Sequence, residues 1–284
     1  MEKKQLKIRK ARCAGFCFGV KRAVGIAEDL LKKSERAYSL GSIIHNPVVV
    51  NDLSKRGLKV IRDIDKAKGS DMLIRSHGIS PRLKECARKL SIRMIDATCP
   101  FVKRSHDIVS ILKNEGYKII IIGERTHPEI SALYEVAGKD AVIVSKSSDL
   151  VKLKIKNKKV GAVAQTTLSK DEFLEIAHSI LKSGCFEYRI FDTICNDVVQ
   201  RQKEAKEIAK TSDVILVVGG KMSANTKHLA SICKKTGATT HHIETSKEIR
   251  PPWFKKAESV GVVSGASTPA QIVDDVILKL KSIR

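Results

Sequence analysis

The chain has 284 residues, room for one large domain or two to three small ones, and its 42% hydrophobic content excludes a disordered chain. A formal charge of +22 raises nucleic acid as a partner, but 4% aromatic content and the lack of any recognisable RNA- or DNA-binding motif disfavour it. No run approaches the roughly 20 apolar residues of a membrane span. The start MEKKQLKIRKARC lacks the apolar core of a secretory signal, and seven cysteines without dense spacing point to reduced thiols, so a cytoplasmic address with no membrane partner is expected.

After Cys17 (GFCFGVKRA), Val20, Val24, Ala27 and Leu31 recur at helical spacing and predict a helix over 20–34. Residues 37–46 (AYSLGSIIHN) predict a strand ending at His45, and 48–57 a helix. A short strand follows, then 71–80 (DMLIRSHGIS), a strand ending at His77. A helix over 80–91 leads through 91–99 to Cys99 (IDATCP).

The same order then repeats. A helix over 102–116 precedes a strand over 117–129 that ends near His127 and Glu129, and 131–140 is helical with a glycine stop. A strand over 158–169 ends at Thr166, a helix covers 170–184, and 188–195 runs to Cys195 (FDTICND). In the third round, a helix over 200–212 precedes a strand over 213–226 ending at Ser223 and Asn225. A helix over 225–237, a strand over 261–268 ending at Ser267 and a closing helix over 268–284 complete the chain.

Apolar strands alternating with amphipathic helices predict an α/β protein with mainly parallel sheets. Three domains of about four short strands each are expected: 14–98, 99–194 and 195–284, with an N-terminal strand over 5–13 joining the third. The polar residues named above fall at carboxyl ends of strands, where open α/β sheets bind ligands.

Cys17, Cys99 and Cys195 are separated by 82 residues (17 to 99) and 96 (99 to 195) and each heads a helical segment, one equivalent position in three units. Unpaired N–H groups and the helix dipole stabilise a thiolate there and favour metal ligation. Three thiolates without a fourth protein ligand describe a metal centre with an open position. Zinc could occupy it, but structural zinc usually draws on short CxxC knuckles, which this chain lacks. An iron–sulfur cluster with one iron left for substrate suits the wide spacing better. His45, His77, His127, Ser223, Asn225 and Ser267 suit an oxyanion such as diphosphate, with Thr166 and the lone carboxylate Glu129 beside them. Cys86, Cys185 and Cys233 read as packing residues. Cys13 reads as a spectator, and His106, His178 and His228 as surface or packing residues. Of the adjacent His241 and His242, only one can face inward.

Nine fragments, GFCFGVKRA, IIHNPVVV, SHGIS, DATCP, THPE, AQTTLS, TIC with RQ downstream, SAN and SGAST, stand in the order and spacing of the 4-hydroxy-3-methylbut-2-enyl diphosphate reductases. The resemblance runs from about Cys13 to the C-terminus. It implies a trefoil of three similar α/β domains around a central four-iron four-sulfur cluster, one per chain, held by Cys17, Cys99 and Cys195. It further implies diphosphate binding by His45, His77, His127, Ser223, Asn225 and Ser267, and proton supply by Glu129 with Thr166 and His127. The implied reaction is a two-electron, two-proton reductive dehydroxylation giving isopentenyl and dimethylallyl diphosphate, with an acidic ferredoxin or flavodoxin as electron donor. Met222, Ala224, Asp197 and Val198 depart from the family's usual pattern, which bears on rate and affinity.

Overall fold

The computed structural model describes residues 6–34 and 36–283; residue 5 of the expected N-terminal strand and residue 284 of the expected closing helix lie outside the described residues. Its strands are β1 (Lys7–Lys10), β2 (Ala37–Leu40), β3 (Leu58–Ile61), β4 (Asp71–Ile74), β5 (Arg93–Asp96), β6 (Lys118–Ile122), β7 (Val142–Val144), β8 (Lys159–Ala164), β9 (Glu187–Phe191), β10 (Val214–Val218), β11 (Thr239–Ile243) and β12 (Ser259–Ser264). Its helices are α1 (Phe18–Lys33), α2 (Pro47–Lys55), α3 (Pro81–Lys89), α4 (Pro100–Asn114), α5 (Pro128–Ala137), α6 (Lys170–Leu181), α7 (Asn196–Ala209), α8 (Ala224–Lys235) and α9 (Ala270–Lys281). None is long and apolar enough to cross a membrane.

The strands form three four-stranded sheets, in the orders β3-β2-β4-β5, β7-β6-β8-β9 and β1-β12-β10-β11, and every pairing is parallel. This is the α/β class the alternation predicts. The first two sheets share one internal order: second, first, third, fourth. The third sheet repeats it, with β1 from the start of the chain standing as the fourth strand. Each sheet therefore has a switch point between its first and third strands, where the connections leave in opposite directions and open a crevice at the carboxyl ends. His45 and His77 follow β2 and β4, His127 and Thr166 follow β6 and β8, and Ser223 and Ser267 follow β10 and β12. Cys99, Cys195 and Cys17 follow the fourth strands β5, β9 and β1.

Contacts divide the chain into two compact units. One holds the chain up to Lys21, Ile44–Asn51 and everything from Asn196, and contains the third sheet. Here β10 and β12 are buried on both faces, as parallel strands between helices are. Leu216, Val218, Val260 and Val262 pack on Val273, Val276 and Leu280 of α9. Their neighbours Ile215, Val217 and Val263 pack on Ala205 and Ala209 of α7 and on Leu229 and Cys233 of α8. Cys233 is fully buried and its thiol is pushed up to about 12 by desolvation, the packing role expected for it.

The other unit, Arg22–Ile43 and Asp52–Cys195, contains the remaining two sheets. Val109 and Leu112 of α4, with Ile130 and Leu133 of α5, cover Ile119, Ile121 and Val163. Met72 and Ile74 of β4 pack with Ile79 and Ala87, and α3 meets α5. Ile121 is fully buried, so Ile121→Ala removes three carbons and leaves a cavity. A loss of about 2–5 kcal/mol in a urea unfolding titration is expected.

The strands stop short of the apolar runs that predict them. The run expected to end at His45 stops at Leu40, that to His77 at Ile74, and that to Ser223 and Asn225 at Val218. The reason is local: His45 and His77 lie in the connecting turns, and Ser223 caps α8, its hydroxyl accepting a free N–H, so the chain turns into the next helix rather than extend a ladder. The three-residue edge strand β7 was not expected from the sequence, and β11 contains the short extended stretch around His241 and His242.

Candidate active site

In the two-sheet unit, backbone bonds and side chains link the expected residues into one path. The Cys99 N–H donates to the Ser76 carbonyl at 3.0 Å, which places Cys99 against the turn that carries His77. Ser76 is itself fixed by its hydroxyl, which donates to the Ile43 carbonyl at 3.1 Å. His77 and His127 meet edge to face with ring centroids 5.4 Å apart. His127 caps α5: its Nδ1 accepts the Glu129 N–H at 3.3 Å, so in the neutral ring the proton sits on Nε2. Pro128 at the first helical position lacks an N–H that would need a partner there.

Glu129 is 1% exposed. One carboxylate oxygen accepts the Thr166 N–H and the other accepts the Thr166 hydroxyl, both at 2.7 Å. Desolvation pushes the carboxyl up to about 7 against the opposing pull of these two bonds. The path closes at the second cysteine, whose N–H donates to the Thr166 carbonyl at 2.9 Å. Thus Cys99, His77, His127, Glu129, Thr166 and Cys195 are consecutive neighbours within one unit.

In the unit of the third sheet, the Cys17 N–H donates to the Ala266 carbonyl at 3.0 Å, beside Ser267. The Ser267 hydroxyl donates to the His45 carbonyl at 3.4 Å, and the Ser267 carbonyl accepts Asn46 Nδ2 at 2.9 Å. Gly220 permits this arrangement because a Cβ there would lie 2.3 Å from the His45 oxygen. Ser223 caps α8, its hydroxyl accepting the Thr226 N–H at 3.3 Å. Asn225 is buried with neither its amide nitrogen nor its amide oxygen hydrogen-bonded. Burying an unsatisfied amide costs about 1–3 kcal/mol, and a polar ligand at this end of the sheet would offset it.

Cys17, Cys99 and Cys195 are half-buried and stand immediately before α1, α4 and α7. Cys99 is the N-cap of its helix, and the Val20 N–H lies 3.4 Å from the Cys17 sulfur. Such thiols are suited to the thiolate form and to a soft metal, so the residues fit an iron–sulfur cluster. Cys13 differs. Its N–H and that of Arg12 are taken by Glu204, and burial and that carboxylate push its thiol upward, which opposes ligation.

Asn46 and Ser76 are the residues that reading the sequence missed. Asn46 carried a usable signal, since asparagine before proline marks a helix start, and its Oδ1 accepts the Val48 and Val49 N–H groups. Ser76 carried none. Among the departures, Asp197 pairs with the buried Arg201 at 2.6 Å, and Arg201 Nη1 donates to the Ser264 carbonyl at 3.3 Å. Asp197 is thus the counterion of a buried guanidinium. Val198 and Ala224 are buried, whereas Met222 is 76% exposed.

A family model described as LytB protein matches residues 8–281. The 4-hydroxy-3-methylbut-2-enyl diphosphate reductase of Geobacter metallireducens is 42% identical over 98% of this chain and 98% of its own. That of Pelobacter propionicus is 40% identical over 98% of this chain and 99% of its own. Among solved structures, the E-1-hydroxy-2-methyl-but-2-enyl-4-diphosphate reductase from Plasmodium falciparum matches with a TM-score of 0.92 and 30% identity, over 96% of this chain and 87% of that one. A second, an (E)-4-hydroxy-3-methyl-but-2-enyl diphosphate reductase described as the terminal enzyme of the non-mevalonate pathway, matches with a TM-score of 0.70 and 39% identity, over 98% and 99%.

Proposed function

We infer the reaction from one premise: this chain belongs to the LytB protein family. It is an oxidoreductase that removes the hydroxyl of 4-hydroxy-3-methylbut-2-enyl diphosphate and yields isopentenyl and dimethylallyl diphosphate. Two electrons and two protons enter, and the hydroxyl leaves as water.

The observation that carries the residue assignment is the buried pair of Glu129 and Thr166. A carboxyl that holds its proton to about pH 7 is a general acid at neutral pH, since it can give that proton and take another. Thr166 grips both carboxylate oxygens, so the acid is held in one orientation. We assign Glu129 as the proton source for the departing hydroxyl, Thr166 as the residue that orients both acid and substrate, and His127 as a second group able to bind the anion and pass a proton. His45, His77, His127, Ser223, Asn225 and Ser267 take the diphosphate: the imidazoles supply N–H donors, and the hydroxyls and the amide supply further donors. The unsatisfied Asn225 amide supports this reading.

We assign one four-iron four-sulfur cluster per chain to Cys17, Cys99 and Cys195. When bound, it supplies electrons one at a time and a Lewis-acidic iron for the allylic oxygen. The positive charge of +22 favours an acidic electron donor of the ferredoxin or flavodoxin class, in the cytoplasm. The division into three domains, 14–98, 99–194 and 195–284 with the N-terminal strand, rests on one sheet falling to each.

The test is turnover by anaerobically purified, iron-reconstituted protein with a low-potential reductant, with iron and sulfide quantified in the same sample. Conversion to the two five-carbon diphosphates with about four irons per chain is expected. Zinc in place of iron, or a full cluster without conversion, would overturn the cofactor and the reaction respectively.

A further inference from the structure

Beside the turns that carry His77 and His127, but lined by none of the residues assigned above, there is a further opening. Within the two-sheet unit, a cavity of about 60 Å³ opens between β4, α3 and α5. On the basis of about 10–15 Å³ per water, it has room for a handful of waters or a small organic group. Its wall is mostly apolar, with Leu40, Met72, Ile79, Leu83 and Ala132 among its residues.

One cation interrupts that wall. Arg75 lines the cavity half-buried, and its guanidinium makes no hydrogen bond or ion pair with any described residue. Gly41 makes space for it: a Cβ there would come 2.7 Å from Arg75 Nη1. The acidic residue of the lining, Glu135, faces Arg82 at 3.9 Å. Burial alone lowers the affinity of Arg75 for its proton, with no charged neighbour acting on it. A guanidinium stays charged even so, and the donors of this half-buried one are open to an anion that enters the cavity.

We propose that this cavity binds a small organic phosphate, its oxyanion on the Arg75 guanidinium and its short apolar body against Leu40, Met72 and Leu83. A planar fork of donors takes two phosphoryl oxygens at once. A mostly apolar pocket with a few polar groups, here Arg75, Ser80, Ser131 and Glu135, is the usual construction of a small-molecule site. The five-carbon diphosphates have this chemistry, and choosing them as probes rests on the reaction inferred above.

Anaerobic calorimetric titration of the holoenzyme with isopentenyl diphosphate tests the site. Two equivalents are expected for the natural chain and one for Arg75→Gln, with turnover of the variant within about twofold of the natural chain. Leu83→Trp, which fills the cavity without touching the charge, is expected to take one equivalent as well. Inorganic phosphate is the second arm and is expected to bind the extra site at least about tenfold more weakly, because it lacks the apolar body. A single equivalent in the natural chain, or two in both variants, refutes the site; equal affinity for inorganic phosphate refutes the organic ligand. Loss of turnover in the natural chain with the Arg75-dependent equivalent intact would count against the inferred reaction and leave this site standing.

Discussion

Glu129→Gln retains the iron–sulfur centre and loses turnover by about 10²–10⁴-fold, the usual contribution of a positioned general acid. The substitution is gentle on the structure. The amide oxygen keeps the Thr166 N–H, and the amide nitrogen donates to the Thr166 hydroxyl, which turns to accept. What disappears is an acidic proton in a site that bulk water does not reach. The pH profile separates this from a packing defect. In the natural chain, turnover falls as pH rises through about 7, where Glu129 loses its proton; the glutamine variant lacks that limb. Stability shows the same group. Unfolded, the carboxyl ionises near 4.5, and folded near 7, so between these values the folded form carries a proton that the unfolded form lacks. Raising pH across that window therefore destabilises the natural chain by up to about 3 kcal/mol, and urea midpoints of the glutamine variant should not follow. A variant with full turnover and an unchanged limb would remove Glu129 from the proton route.

Cys99→Ser abolishes both iron content and turnover. A serine oxygen at neutral pH is protonated and hard, whereas the cluster is held by soft thiolates. The backbone has no reason to move, because the N–H to Ser76 and the N-cap geometry at this position do not depend on sulfur. Cys13→Ser is the matched control and keeps its iron, since the neighbouring carboxylate Glu204 disfavours a thiolate at position 13. An intact cluster spectrum in Cys99→Ser, or its loss in Cys13→Ser, would reassign the ligands.

The sequence made the class of the fold and the location of the chemistry legible for one physical reason. VILVV, and KIIII after its lysine, are apolar throughout because both faces are buried, so the polar residues that follow, Ser223 and His127, mark the mouth of a crevice. The helix head at Cys99 was legible, since proline follows directly, whereas the same mark at His127 was overrun by the strand expected over 117–129. Strand ends were not, because an apolar run says nothing about where the ladder stops. β7 is too short to show a period, and β11, Thr-Thr-His-His-Ile, is polar on positions that its neighbour half covers. Sheet order is set by pairing between distant segments, which no local pattern carries. Arg75 was silent for another reason: an arginine before Ser-His-Gly reads as solvent-facing, and only the packing of α5 on that side encloses it.

The fourth strand of the third sheet has a consequence for how the chain is made. β1 emerges from the ribosome first, yet its partner β12 is nearly the last strand to follow, and Gly15 bonds the Ser264 hydroxyl across 249 residues. At about 5–20 residues per second, the N-terminal segment waits roughly 12–50 s for that partner. Cys17 stays undocked for the whole interval, because the carbonyl that fixes its N–H belongs to Ala266. Folding is therefore ordered in time: a nascent chain presents Cys99 and Cys195 in folded surroundings while Cys17 is still tethered loosely, and a product truncated before Ala266 lacks the carbonyl that docks Cys17.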